Sequence, residues 1–224
     1  VKLAITILAA ALLGDSVHAQ GTFQNLNFEL ADPGTGTTAF NIPVANALPY
    51  WAVTIGGVQR TEINYNATST GSTAVTLVST ADSVFPAIDG NYSVLLQGGI
   101  TASAASISQT GIIPAGTESL MFEAQPDVGT FQVFVGGQNV PFSALGLGPN
   151  YTLYGANISA WAGDTEQLTF SAMEGGQGVG LNNWVLDDIS FSPTGVPEPD
   201  PFILTGLGGT LFALCRLFAP KRCS

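Results

Sequence analysis

Histidine is the scarcest of the reactive side chains: the 224-residue sequence holds one, His18. Removal of an N-terminal leader would take it away and leave no imidazole for a Ser-His-Asp triad, the usual zinc sites or a His general base. Cysteine is almost as rare. Cys215 and Cys223 both lie near the C-terminal end, so the region before them must hold itself by packing, or by a metal, without a disulfide. Cations are missing as well. Of the five Lys and Arg residues only Arg60 falls within residues 21–195, whereas every acid except Asp15, Glu198 and Asp200 falls there. A surface of that sign offers no basic stripe to phosphates, which excludes nucleic acid and anionic lipid as partners of this region. No long stretch has an apolar period of 3.6 residues, so a helical body is excluded too.

What is present at the two ends concerns address. Residues 1–19 place Lys2 ahead of an apolar run and then Val17-His18-Ala19, a small-residue cleavage pattern. This is the layout of a secretory signal peptide, whose removal would leave a chain starting at Gln20 or Gly21. Residues 196–224 contain Pro197-Glu198-Pro199, a Gly- and Leu-rich apolar segment over 202–215, and then Arg216, Lys221 and Arg222. The segment is shorter than the roughly 20 residues of a full span, and basic residues beyond it favour a cytoplasmic stop. Transient membrane insertion is therefore expected. The three parts in this order resemble the PEP-CTERM sorting tail of exported Gram-negative bacterial proteins. The resemblance implies export machinery and an exosortase-type membrane protease as partners, with Pro197, Glu198 and Pro199 as the sorting motif. It also implies a membrane-inserted precursor and a product at the outer surface or in the extracellular matrix. Asp200-Pro201 and the spacer 217–220 depart from the usual form.

Between the ends the order is period two. Leu120, Phe122 and Ala124 alternate with more polar neighbours, as do Phe131, Val133 and Val135, and Leu168, Phe170 and Ala172. Further strands are expected over 25–30, 50–55, 74–78, 92–97, 105–109, 151–158 and 184–191, separated by Gly-, Pro- and Asn-rich turns. Short strands without intervening helices must bury their apolar faces against a second sheet. The expected fold class is therefore all-β: an antiparallel β-sandwich forming one domain over 21–195, with a flexible exit around 192–201. Asn27-Phe28-Glu29, Trp51-Ala52-Val53, the run Asp89 to Leu96, Ile107-Ser108-Gln109 and Val185 to Ile189 together resemble the galactose-binding-like jelly rolls, specifically the DUF642-type extracellular proteins. That resemblance implies a jelly roll of a kind often used to bind carbohydrate.

Asp187 draws notice because strand parity with Val185, Ile189 and Phe191 aims it inward, where a carboxylate needs hydrogen bonds or a cation. The resemblance implies a structural Ca2+ at the sandwich edge, with Glu29 and Asp187 at the matching metal positions and Asp32 or Asp89 nearby; oxygen-only ligands suit that ion. Rings able to stack on sugars include Tyr151, Tyr154 and Trp161 near loops, the carbohydrate-binding candidates, while Trp51 and Trp184 sit inside strand patterns and belong to the core. Glu118 with Glu123, Asp164 with Glu166, or Asp187 with Asp188 are the carboxylate pairs that a glycoside hydrolase or lyase would need; solvation explains most of them. Arg60 has Glu62 as a nearby surface partner. The sequons at Asn66, Asn91, Asn150 and Asn157 are read as turn chemistry. The leading expectation is a non-enzymatic exported protein with extracellular polysaccharide as its weakly held partner. A carboxylate-dependent glycoside hydrolase or lyase, and a purely structural protein, are the alternatives.

Overall fold

The computed structural model of the chain describes residues 21–36, 38–68, 71–126, 129–175 and 182–196. The expected leader, the tail and the sorting motif Pro197, Glu198 and Pro199 lie outside the described residues. In chain order the elements are β1 (Ala39–Pro43), α1 (Val44–Ala47), β2 (Ala52–Ile55), β3 (Val58–Arg60), β4 (Glu62–Tyr65), β5 (Ala74–Ser79) and β6 (Tyr92–Gly98). There follow β7 (Ala104–Ile112), β8 (Ser119–Pro126), β9 (Phe131–Val135), β10 (Gln138–Val140), β11 (Phe142–Leu147), β12 (Thr152–Asn157), a 3-10 turn (Ser159–Trp161), β13 (Thr165–Met173) and β14 (Asn182–Ser192).

Alternation does the sorting that the sequence implies. In β8 Leu120, Phe122 and Ala124 are buried while Met121, Glu123 and Gln125 are only partly so, and β9 and β13 repeat the pattern with Phe131, Val133, Val135, Leu168, Phe170 and Ala172. Strands of this kind close into two layers. One sheet has eight strands in the order β1-β4-β5-β6-β14-β8-β12-β11, the other six in the order β10-β9-β13-β7-β2-β3. The chain passes from β6 across to β7, back to β8 and across again to β9, and later from β12 to β13 to β14. This crossing between antiparallel layers is a jelly-roll β-sandwich, and among the described strand pairs only β4 and β5 run parallel. Three-residue strands, β3 and β10, finish the smaller sheet at its two edges.

The core between the sheets is dominated by rings. Phe170 is fully buried and meets Phe122 edge-on at 5.4 Å, while Phe131 stacks on Trp184 at 4.5 Å. Trp51 and Trp184 are both core residues, as their strand patterns imply. The larger sheet is also buried on its other face. There Val78, Leu95 and Val185 pack with Ile88, against Phe85 and Tyr151. Phe85 and Ile88 belong to the connection between β5 and β6, so this loop roofs the outer side of the sheet.

Two expectations need correction. Residues 25–30 form no strand: Asn25 and Phe28 take φ of 51° and 56°. Asn25 Oδ1 accepts the Leu30 amide at 3.0 Å and its Nδ2 donates to the Pro49 carbonyl at 3.2 Å. The short amide side chain thus supplies what a strand ladder would have supplied, which is why Asn tolerates this backbone. The parity of β14 also differs. Trp184, Leu186 and Ile189 enter the main core, but a bulge between Asp187 and Ser190, with Asp188 at φ 45°, breaks the alternation between them. Asp187 therefore shares the face of Val185, beneath the β5–β6 roof, and not that of Ile189.

Phe170→Ala is expected to cost about 3–5 kcal/mol, because it empties the point where the rings of both sheets meet. Urea unfolding followed by tryptophan fluorescence measures it; a loss below about 1 kcal/mol would contradict this packing.

Candidate functional site

The roofed outer face carries the most perturbed chemistry in the described residues. β14 and β6 pair so that Leu186 faces Val94, which sets Asp187 beside Ser93. The Ser93 hydroxyl donates to Asp187 Oδ2 at 2.5 Å, and the same oxygen of Ser93 accepts the Ile88 amide at 2.9 Å. Asp187 Oδ1 accepts the Asp188 amide at 2.8 Å. Burial pushes the Asp187 carboxyl up to about 8 from an ordinary 3.8, against the lowering effect of the Ser93 and Asp188 donors and with the charges of Asp188 and Asp89 adding to the rise. No Lys or Arg side chain among the described residues is one of the groups acting on it. Its protonated form predominates at neutral pH, and it pins the roof through Ser93.

Beside it lies Glu123 of β8, also raised by burial, opposed by Tyr151 and helped by Asp188 and Asp89. Glu123 Oε2 is buried without a hydrogen-bond partner among the described residues. The Tyr151 hydroxyl faces this carboxyl, an interaction that raises the phenol's pKa. Tyr151 stands at the end of the β11–β12 turn, whose Gly148 amide donates to the Tyr151 carbonyl at 2.9 Å. The ring passes so close to Gly148 that a β-carbon there would lie 2.3 Å from it. Only glycine admits this approach. Leu147, Pro149, Asn150, Gln125 and Tyr151 line an open hollow of about 250 Å³, with Leu147 87% exposed. An apolar floor with amide groups at its rim is suited to one face of a small polar ring.

No protein-family model and no curated protein matches the chain. Among solved structures it is similar to TmCBM61 in complex with beta-1,4-galactotriose, at a TM-score of 0.40 and 16% sequence identity, over 78% of this chain and 99% of that one.

The other sequence candidates fall elsewhere. Tyr154 is on the inner face of β12, stacked on Phe122 at 5.4 Å and edge-on to Phe142. Its work is packing, because its parity is opposite to that of Tyr151. Trp161 closes the 3-10 turn after β12 and leans on the main core. Tyr151, Tyr154 and Trp161 thus do not share a surface. Glu29 lies in the N-terminal turn, where its carboxylate accepts the Asn91 amide at 2.7 Å, Asn91 Nδ2 at 2.7 Å and the Tyr92 amide at 2.9 Å. Burial acts upward on Glu29, but these donors outweigh it and hold the carboxyl below its ordinary value. Gly90 lies next to it with φ of 54°, in the left-handed region that favours glycine. Glu29 and Asp187 each spend their oxygens on protein donors, and no group of three or more His, Cys, Asp or Glu side chains among the described residues is placed to hold a metal. The Asp187–Ser93 and Glu123–Tyr151 pairings were hidden in the sequence because each joins distant strands; the polar Ser93 within an otherwise apolar run was the one local sign.

The buried proton sets a pH dependence. Because the folded state holds it more tightly than the unfolded chain, the stabilisation is full below the unfolded value of 3.8 and is lost as pH rises towards about 8. Asp187→Asn is expected to flatten that fall by an amount of the order of a few kcal/mol, read from denaturant midpoints at several pH values. Parallel pH profiles for the two proteins would show that Asp187 is already ionised when folded.

Proposed function

We propose that this protein is a non-catalytic glycan-binding module carried to the outside of the cell, where it adheres to extracellular polysaccharide through Tyr151 and its neighbours. The observation that supports it best is the apolar floor of exposed Leu147 and Pro149 with the half-buried Tyr151 ring at the β11–β12 turn, and with Gln125 and Asn150 beside it. Rings and aliphatic edges cover the C–H face of a sugar, and amides take its hydroxyls. One open hollow of this size makes weak contacts, which suits a polymer presenting many copies of the same unit.

The hydrolase alternative requires two carboxyls set on opposite sides of a scissile bond with access to it. Asp187 is 1% exposed, under the β5–β6 roof, with both oxygens engaged. Glu123 accepts a hydrogen bond from the Tyr151 hydroxyl, and the charges of Asp188 and Asp89 oppose its own; Glu118 is not among the groups that act on it. These placements support adhesion over catalysis.

Titration calorimetry of the exported protein against galactan oligosaccharides and extracted exopolysaccharide tests the reading. Tyr151→Ala is expected to weaken binding about tenfold, a loss of about 1.4 kcal/mol, while Tyr151→Phe keeps most of it because the ring remains. Failure of the wild-type protein to retain any glycan would remove the proposal. Export has its own check: product recovered outside an expressing Gram-negative host should begin at Gln20 or Gly21 and lack the tail, and intact ends would refute processing.

A further inference from the structure

A second hollow, of about 360 Å³, lies at the other side of the sandwich, where α1 plugs the gap between the two sheets. Its floor is Leu48 and Trp51, which are 0% and 4% exposed. Trp51 is fixed there by its indole N–H, which donates to the Asn25 carbonyl at 3.0 Å. One wall is β3, which pairs with β2 so that Arg60 stands opposite the buried Val53 and therefore on the side facing the gap. The Thr61 carbonyl accepts the Val44 amide at 2.8 Å and ties this wall to α1.

One residue on the rim is there at a cost to the fold, and a second stands beside it without a partner among the described residues. Trp51 N–H donates to the Leu48 carbonyl at 3.1 Å, and Tyr50 has φ of 74°. Leu48-Pro49-Tyr50-Trp51 is thus a type II turn in which Tyr occupies the position that ordinarily needs glycine. Tyr50 is nonetheless 59% exposed, so little packing holds the strained residue in place. Arg60 is the single cation of residues 21–195, yet it makes no ion pair among the described residues and the expected contact with Glu62 is not formed. A ring held in a costly turn beside an unpaired guanidinium is an arrangement that stability alone does not explain.

We propose that this hollow binds a uronic acid unit of a polysaccharide, with the Tyr50 ring against the pyranose face and the Arg60 guanidinium holding the carboxylate in a two-pronged pair. Arginine presents parallel N–H groups that match a carboxylate. The surrounding excess of acid repels polyanions in general, so a uronate that binds must do so where the one cation stands. The inference extends the glycan reading to a separate surface and a charged sugar class, and it stands or falls apart from the Tyr151 hollow.

Calorimetry of the exported protein with a galacturonic acid trisaccharide and with the same trisaccharide reduced at its carboxyl groups provides the test. The acidic sugar is expected to bind at least tenfold more tightly than the reduced one. Arg60→Gln should abolish that difference, Arg60→Lys should restore only part of it, and Tyr151→Ala should leave it intact. Tyr50→Gly should lose uronate binding while the melting temperature stays level or rises, since glycine relieves the turn. No uronate binding by the wild-type protein, equal affinity for both sugars, retention of the preference in Arg60→Gln, or a lowered melting temperature in Tyr50→Gly would each overturn the proposal. If neutral galactan still binds and that binding falls with Tyr151→Ala, the uronate site fails alone; if neither sugar binds, both readings fail.

Discussion

A sheet buried on both faces, in a region with one cation, must satisfy its polar groups without charge pairing. This constraint governs the outer side of the larger sheet. Ser93, Leu95 and Gln97 of β6 and Asn183, Val185 and Asp187 of β14 all lie under cover, and the polar ones among them bond across the two strands: Gln97 Nε2 donates to Asn183 Oδ1 at 3.0 Å, as Ser93 does to Asp187. Neutral amides and hydroxyls fulfil the role that ion pairs play elsewhere. Where a carboxyl enters this layer, retaining its proton is the cheapest way to remain. The roof over the sheet, the raised carboxyls and the position of Tyr151 all follow from that arrangement.

Glu29 shows the opposite solution. It sits at the rim, gathers three donors from the turn leading into β6, and stays ionised. Its carboxylate thereby fixes the N-terminal turn to the same turn whose interior end, at Ser93, meets Asp187. The two acids act on adjacent residues of one strand by contrary means. Burial decides which: donors reach Glu29 from a solvated edge, whereas Asp187 is enclosed on every side.

The sandwich was legible in the sequence because period-two alternation is a local property. Phe122, Phe131, Phe170 and their neighbours announce their inward face within a few residues. The failures are equally local in origin. Phe28 looks like a strand residue by type, and the positive φ at Asn25 and Phe28 makes a turn of the segment. The bulge after Asp187 reverses parity through one backbone angle at Asp188, a residue that tolerates the left-handed region but does not require it. The short strands β3 and β10 carry too few residues for any period to emerge, and a register shift interrupts β1 between Ala39 and Ile42. Site geometry was least legible, since the partners of Asp187, Glu123 and Glu29 come from elements far along the chain and meet only when the sheets assemble.

The smaller sheet ends in β3 on one side and β10 on the other, each three residues long. An open sheet border is a template on which an identical molecule can zip by its main chain, and short borders offer too few free amides and carbonyls for that to persist. Copies gathered densely along one polymer would therefore stay separate folded beads, and would not fuse on this side into continuous ribbons.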